Sequence, residues 1–504
     1  MAGEAVTTTW YNVGIVFFVA LGSFTYGFNS SIMGTVFGLS SFFDYFNLPQ
    51  AGSGTGYTSS IEGATNGLYS AGGIFGCLLI SRLADAFGRK RAVQLICIIC
   101  ILSAILQAAS VHIVMLLVGR FFNGIGTAMM CVIVPLYQSE VSPPSVRGRL
   151  VGSHGFLVVV GYNLAAFTGL GSYFATNPQL QWRLPLALQV VAPLVLALGS
   201  PMVPESPRWL FENHRNTEAM EVLCNLHSAP GDTDSNAAHA EGEHIRQQLA
   251  IDDTQDHSLR AIILRPSYRK RFLMGFYIQF LAQSTGVLVI NNYQVILYNG
   301  LGLFGYLPLL LYAMYTLWAA FLNWVGSMVV DRFGRVRMLT IGIIGCVLMV
   351  SCEAAMVATY GGTSNKIGNG FGVFFLFAFV TFYGSCVDAV SYIYCAELFP
   401  TSLRAQGVGF SILGQVIASL IYTLIAPTAF DQVGWRYYLV FIVLPVVGAP
   451  LLHFFFIETK GLSLEEIGAL FGDHVFNESA TPVDFVGALP ASEEKKGAEV
   501  GISD

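Results

Sequence analysis

Apolar runs of about twenty residues recur along the chain, at about 12–33, 61–81, 92–110, 114–138, 150–172, 184–203, 272–297, 305–329, 338–359, 371–395, 406–427 and 436–457. A helix that crosses the hydrocarbon of a bilayer needs about 20 such residues. In lipid, only a helix or a closed barrel satisfies its own backbone polar groups. The pattern therefore predicts an all-α membrane protein with twelve transmembrane helices. The first run follows MAGEAVTTTWYN, with no basic segment and no A-x-A site, and reads as a retained helix rather than a leader.

Polar segments divide the runs into six plus six. Residues 1–203 form an N-terminal six-helix half and 272–457 a C-terminal one. Between them, 204–271 reads as a cytosolic helical linker, because ENHRNTEAMEVLCNLH and SLRAIILRPSYRKR are both amphipathic. From 458 to 504 the pattern predicts a cytosolic C-terminal helix over ETKGLSLEEIGALF, then a disordered tail rich in Ala, Gly, Glu and Lys.

Composition agrees. Hydrophobic residues make up 54% of the 504 and charged ones 11%, against roughly 25% charged in an ordinary globular chain. A soluble protein of this composition would expose large apolar patches, so the partner is the lipid bilayer. The net charge of −6 offers nothing to a nucleic acid. Of 25 Lys and Arg, only Arg120, Arg183, Lys366 and Arg436 fall at or near the outer side when both termini are placed in the cytosol, as the positive-inside bias requires. Nine Cys, mostly inside apolar runs, read as small buried hydrophobes, including Cys97 and Cys100 of a CxxC. No nucleophile–base pairing, phosphate loop or metal cluster stands in the soluble parts, so neither an enzyme nor a cofactor is implied.

The two halves repeat each other. SRLADAFGRKR (81–91) matches SMVVDRFGRVR (327–337), each after the second helix of its half. YQSEVSPPSVRG (137–148) matches YCAELFPTSLRA (394–405), each after the fourth. Six-plus-six duplication of this kind belongs to carriers that hold their substrate near the midplane, between the halves.

The DxxGR loops, PESPRWL at 204–210, GRFFNGIG at 119–126, PLYQSE at 135–140 and ETKG at 458–461 resemble the sugar porters of the major facilitator superfamily, with a fungal hexose-transporter flavour, over roughly 10–470. The resemblance implies a major facilitator fold and transport of a hexose or related sugar by alternating access. It also implies that Asp85, Arg89, Glu140 and Arg147, with Asp331, Arg335, Glu397 and Arg404 in the second half, form cytosolic ion-pair networks that close a gate. Topology alone also accounts for the basic residues, although not for acids recurring at matched places. The default location implied is the plasma membrane.

A sugar needs amide side chains for its hydroxyls and an aromatic face for its C–H side. Polar amides within spans are costly unless partnered or lining a cavity. The candidates are Asn29, Asn163, Gln283, Asn291, Asn292, Asn323 and Gln415, with Tyr293, Tyr392 and Tyr394. Each amide taken alone is equally well read as interhelical glue. Aligned to the family, Gln283, Thr285 and Gly286 fall on its QxSG, with Gly286 as a hinge. Gln415 and Tyr392 fall on positions that often hold a sugar-binding Asn and a Trp, and His154 matches the animal glucose carriers. Asn29, His154, Gln283, Asn292, Tyr392 and Gln415 are therefore the expected substrate-binding set. Gly155, Ala282, Leu288, Ala319 and Gly384 replace expected contacts, so a pentose, a disaccharide or another polyol stays open.

Coupling is read both ways. Proton-linked family members carry Asp where this chain has Asn29, in Tyr26-Gly27-Phe28-Asn29, which favours facilitated diffusion. Asp388, within the tenth span, is an intramembrane acid and so a candidate proton site, with hydrogen bonding to Ser385 or Ser391 as its structural alternative. A proton is thus a candidate co-substrate. A non-transporting sugar sensor of the same fold is the rival from another class, although the tail after Glu458 is short for signalling.

Overall fold

The computed structural model describes residues 10–50, 52–142, 147–227, 236–254, 265–361, 363, 365–399, 403–462 and 464–471. The described residues up to Gly461 form one compact unit, and those beyond it, which hold the short helix Leu464–Leu470, belong to a second. Among the described residues no strand occurs.

Eleven stretches are long and apolar enough to cross a membrane, and one of them, Gln406–Phe455, has 50 residues. A straight helix of that length would reach about 75 Å, against a hydrocarbon core of about 30 Å. It is two antiparallel helices, Arg404–Val433 and Tyr438–Phe455, joined by the tight turn Gly434–Tyr437. The chain therefore has twelve spans in two six-helix halves.

In order, the spans are Trp10–Val36 (two helices meeting at Ala20), Thr55–Phe87, Arg89–Ala108, Ile113–Val141, Arg147–Tyr173, Pro178–Gly199, Pro266–Gly300, Leu307–Phe333, Arg335–Tyr360, Lys366–Leu398, Arg404–Val433 and Tyr438–Phe455. We number them 1 to 12. Between the halves lie the short helices Pro207–Glu212, Asn216–His227 and Asn236–Thr254. Trp209, Leu210, Phe211, Ala219, Leu223 and Ala238 form their shared apolar core.

Three spans are broken. Span 7 stops at Ser284 and restarts at Val287, because Gly286 adopts φ 92, a conformation that costs other residues. Span 10 widens into a π-helical turn over Gly384–Asp388, a feature frequent at functional sites. Small residues on its neighbours make the space. A Cβ on Gly326 of span 8 would lie 2.3 Å from the Ser385 carbonyl oxygen, and one on Gly342 of span 9 would lie 2.6 Å from the Cys386 Cβ. Span 1 is divided at Ala20.

The halves meet along span 2 against span 11, span 5 against span 8, and span 1 against the second helix of span 7. Hydrogen bonds between the halves lie from the middle of the bundle to the end away from the DxxGR loops. Ser31 bonds Tyr312 at 2.5 Å, Asn163 donates to Thr316 at 3.1 Å, and Ser70 meets Ser419 at 3.0 Å. At that far end Tyr293 of span 7 is fully buried, stacks on Phe37 of span 1 (6.1 Å between centroids), and donates to the Thr423 carbonyl at 2.7 Å. The far end of the bundle is shut.

Candidate substrate site and charged clusters

Between the halves, Ser30, Asn66 and Tyr69 of the first and Asn292, Gln415 and Ser419 of the second line a cavity of about 30 Å³. That is room for one water, so in this state the polar groups have closed on one another. Asn292 donates to the carbonyl of Leu288 at 2.8 Å. Tyr392 donates to Gln415 Oε1 at 2.7 Å, and Gln415 Nε2 reaches the Tyr26 hydroxyl of the other half at 3.5 Å. Three of the expected substrate residues, Asn292, Tyr392 and Gln415, are thus brought together.

The others are placed differently. Gln283 is buried beside Tyr383 just before the break in span 7. His154 Nδ1 pairs with the Ser23 hydroxyl of span 1 at 2.7 Å. Asn29 is turned into the packing of the first half. Its Nδ2 donates to the Thr25 carbonyl at 2.6 Å, and its Oδ1 accepts from Asn123 at 2.9 Å. Beside it the buried Arg120 donates to the carbonyls of Asn29 and Thr65 and to Asn66 Oδ1, with its guanidinium 4.2 Å over the Tyr69 ring. Asn163 lies at the interface of the halves rather than in the cavity lining.

Asp388 sits at the end of the π turn. Neither Ser385 nor Ser391 bonds its carboxylate: Ser391 donates to the Asp388 backbone carbonyl at 2.8 Å and Ser385 to that of Thr381 at 2.5 Å. The carboxylate partner is Asn323 of span 8, whose Nδ2 donates to Oδ2 at 2.6 Å. Tyr162, Tyr315, Tyr383 and Tyr392 stand close enough to feel its charge. The side chain is only half-buried.

At the end bearing the DxxGR loops, each half carries a charged cluster of its own. Arg89 donates Nε–H and Nη2–H to the two oxygens of Glu140, both at 3.0 Å, with a weaker contact to the exposed Asp85 at 3.5 Å. In the second half Arg335 grips Glu397 (Nη2 to Oε1 2.7 Å), and Thr459 donates to the same carboxylate at 2.6 Å. Arg404 stands at the start of span 11. The side chains of Arg147 and Asp331 lie outside the described residues.

Two residues were missed in the sequence. Glu205, the acid of PESPRWL, accepts the backbone N–H groups of Arg89 (2.8 Å) and Lys90 (3.1 Å), the open N-terminus of span 3. Glu458, the acid of ETKG, does the same for Arg335 (2.8 Å) and Val336 (3.0 Å) at span 9. This explains the glycine of DxxGR. Gly88 and Gly334 both have positive φ, 87 and 92, and a Cβ there would lie 2.4 and 2.7 Å from the carboxylates of Glu205 and Glu458. Burial pushes the Glu205 carboxyl up, against the N–H bonds that favour its charge. The repeat would have revealed the pair, since each acid follows the last span of its half.

Fold and site together define a class: an integral membrane carrier of duplicated six-helix halves with a polar cavity between them. Residues 15–471 match the family described as Sugar (and other) transporter. The chain is 33% identical to the MFS-type transporter criB of Aspergillus cristatus over 457 residues, covering 90% of this chain and 92% of that one. It is 28% identical to a high-affinity glucose transporter of Kluyveromyces lactis, covering 98% and 90%. Among solved structures it resembles the partially occluded inward-open xylose transporter XylE from E. coli, with TM-score 0.74 at 18% identity over 89% of this chain and all of that one. The chain belongs to the sugar (and other) transporter family.

Proposed function

We infer that this protein carries a sugar, a hexose or a close relative, across its membrane by alternating access and facilitated diffusion. The observation that carries the reading is the polar cavity between two repeated halves, shut at the end away from the DxxGR loops by Tyr293 on Phe37. A midplane site between rocking repeats is how such folds work. The names of relatives from Kluyveromyces lactis and Aspergillus flavus, both glucose transporters, support the substrate class.

Asn292, Tyr392 and Gln415 are proposed to meet the substrate, with Gln283 joining them as span 7 moves about Gly286. His154 and Asn29 are assigned to positioning span 1. The Arg89–Glu140 and Arg335–Glu397 clusters, with Asp85, Asp331, Arg147 and Arg404 by repeat position, are proposed to close the cytosolic gate in the opposite state. Each bond observed in these clusters lies within one half. Both termini are assigned to the cytosol and the protein to the plasma membrane.

Uniport rests on span 1 offering Asn29, an amide that cannot carry a proton, beside Arg120. Proton symport is the second reading, and Asp388 is the observation that favours it. Uptake of a panel of labelled sugars, in cells lacking their own hexose carriers, tests both. The expected result is saturable uptake that survives a protonophore. Saturable uptake abolished by the protonophore transfers the assignment to symport, and binding with no uptake or exchange transfers it to a sensor.

A further inference from the structure

The chemistry around Asp388 exceeds what its packing needs. The π turn places a half-buried carboxylate at its end in span 10, near Tyr162, Tyr383 and Tyr392. One oxygen, Oδ2, holds a single short bond from Asn323. A carboxylate has about four acceptor sites, and the Asn323 amide takes one of them. Asn323 contributes an amide oxygen and a second N–H at the same spot. Glycines on spans 8 and 9 let the turn approach closely, which fixes the carboxylate on its backbone.

We propose that Asp388 and Asn323 form a clamp for two adjacent hydroxyls and so set which polyol this carrier accepts. The inference rests on the transport reading above and adds the recognition element. A carboxylate accepts from hydroxyls and donates nothing when ionised, so it selects substrate oxygens that carry hydrogen. The amide beside it takes either role and fixes the orientation of the pair. Charge-assisted bonds of this kind are about twice as strong as neutral ones, so a substrate lacking one of the two hydroxyls leaves a carboxylate lone pair unserved. That loss amounts to roughly a tenfold to hundredfold weaker interaction. A carrier relying on Asn292 and Gln415 alone would show smaller and more even penalties around the ring.

The test is competition by a full set of monodeoxy analogues of the best-carried sugar. It is measured as inhibition of counterflow exchange, which needs no driving gradient. In the wild type, the analogues lacking one of two neighbouring hydroxyls are expected to compete about ten to a hundred times more weakly than the parent. In Asp388→Asn those two penalties shrink to about threefold or less, and penalties elsewhere on the ring are unchanged. Asn323→Ala reduces the same two penalties and supplies the answer if Asp388→Asn fails to reach the membrane. Penalties identical in the wild type and the variants overturn the clamp while leaving transport standing. If the wild type exchanges no sugar of the panel, the transport reading falls and the clamp falls with it.

Discussion

Glu140→Gln is the sharpest probe of the charged clusters, because its counterpart Glu397→Gln serves as the control within one molecule. The side chains of Arg89 and Glu140 are each 6% exposed, and their two bonds are both 3.0 Å. The amide keeps the shape of the carboxylate but leaves a buried guanidinium with only the exposed Asp85, 3.5 Å away, as counter-charge, a loss of about 3–5 kcal/mol. Glu397 is 25% exposed and Arg335 10%, so water screens the second pair. Its loss falls between that range and the ~0.2–1 kcal/mol typical of exposed pairs. For a unit of about 200 residues, each kcal/mol moves Tm by roughly 2–4 °C. Thermal unfolding of the detergent-solubilised protein, followed by tryptophan fluorescence, should therefore drop by about 6–20 °C for Glu140→Gln and by clearly less for Glu397→Gln. Arg89→Gln combined with Glu140→Gln should recover part of the loss, since no charge is then stranded. Equal shifts for the two single variants, or a Glu140→Gln shift under about 2 °C, would refute the reasoning that burial sets the strength of these pairs.

Two further outcomes are expected. Gly286→Ala forces a side chain into φ 92 with its Cβ 2.8 Å from the Phe441 ring, a backbone cost of about 1–2 kcal/mol. Sugar exchange should slow about fivefold or more, and trimming Phe441 to Ala should restore only part of the rate, because the ring relieves but the backbone does not. Glu205, pushed up by burial, binds its proton more tightly folded than unfolded. Its contribution is therefore present below the unfolded value of about 4.3 and is lost as pH rises through the folded one. The Tm of the wild type minus that of Glu205→Gln should accordingly fall as pH rises above about 4. A difference that grows with pH contradicts the assignment.

The spans were legible because lipid demands long apolar helices, and a repeat of motifs at matched loops gives the duplication directly. Even so, length and apolarity alone merge the last two spans into one stretch, which only the turn at Gly434 divides. Amides were legible as unusual but not as ligands. Asn29 and Asn292 look alike in sequence, yet one is consumed by Asn123 and the other lines the cavity. The distinction depends on which neighbour a helix face meets, and that is a tertiary fact. Asp388 stood out as an intramembrane acid, but its partner came from span 8 and not from the serines beside it in sequence. Glu205 and Glu458 went unread as caps because a carboxylate serving a helix over 100 residues away leaves no local signal.

Those two carboxylates give each half a closed contour. The chain runs from the start of span 3 to just past the end of span 6, and Glu205 clasps it back to its beginning. Glu458 does the same for spans 9 to 12. Four helices in each half are thereby looped without a covalent bond. Tension on the segment leaving span 6 passes to the foot of span 3 instead of peeling one helix from the bundle. The same tie joins the foot of span 9 to the segment that leaves span 12, so both halves are fastened at matching places.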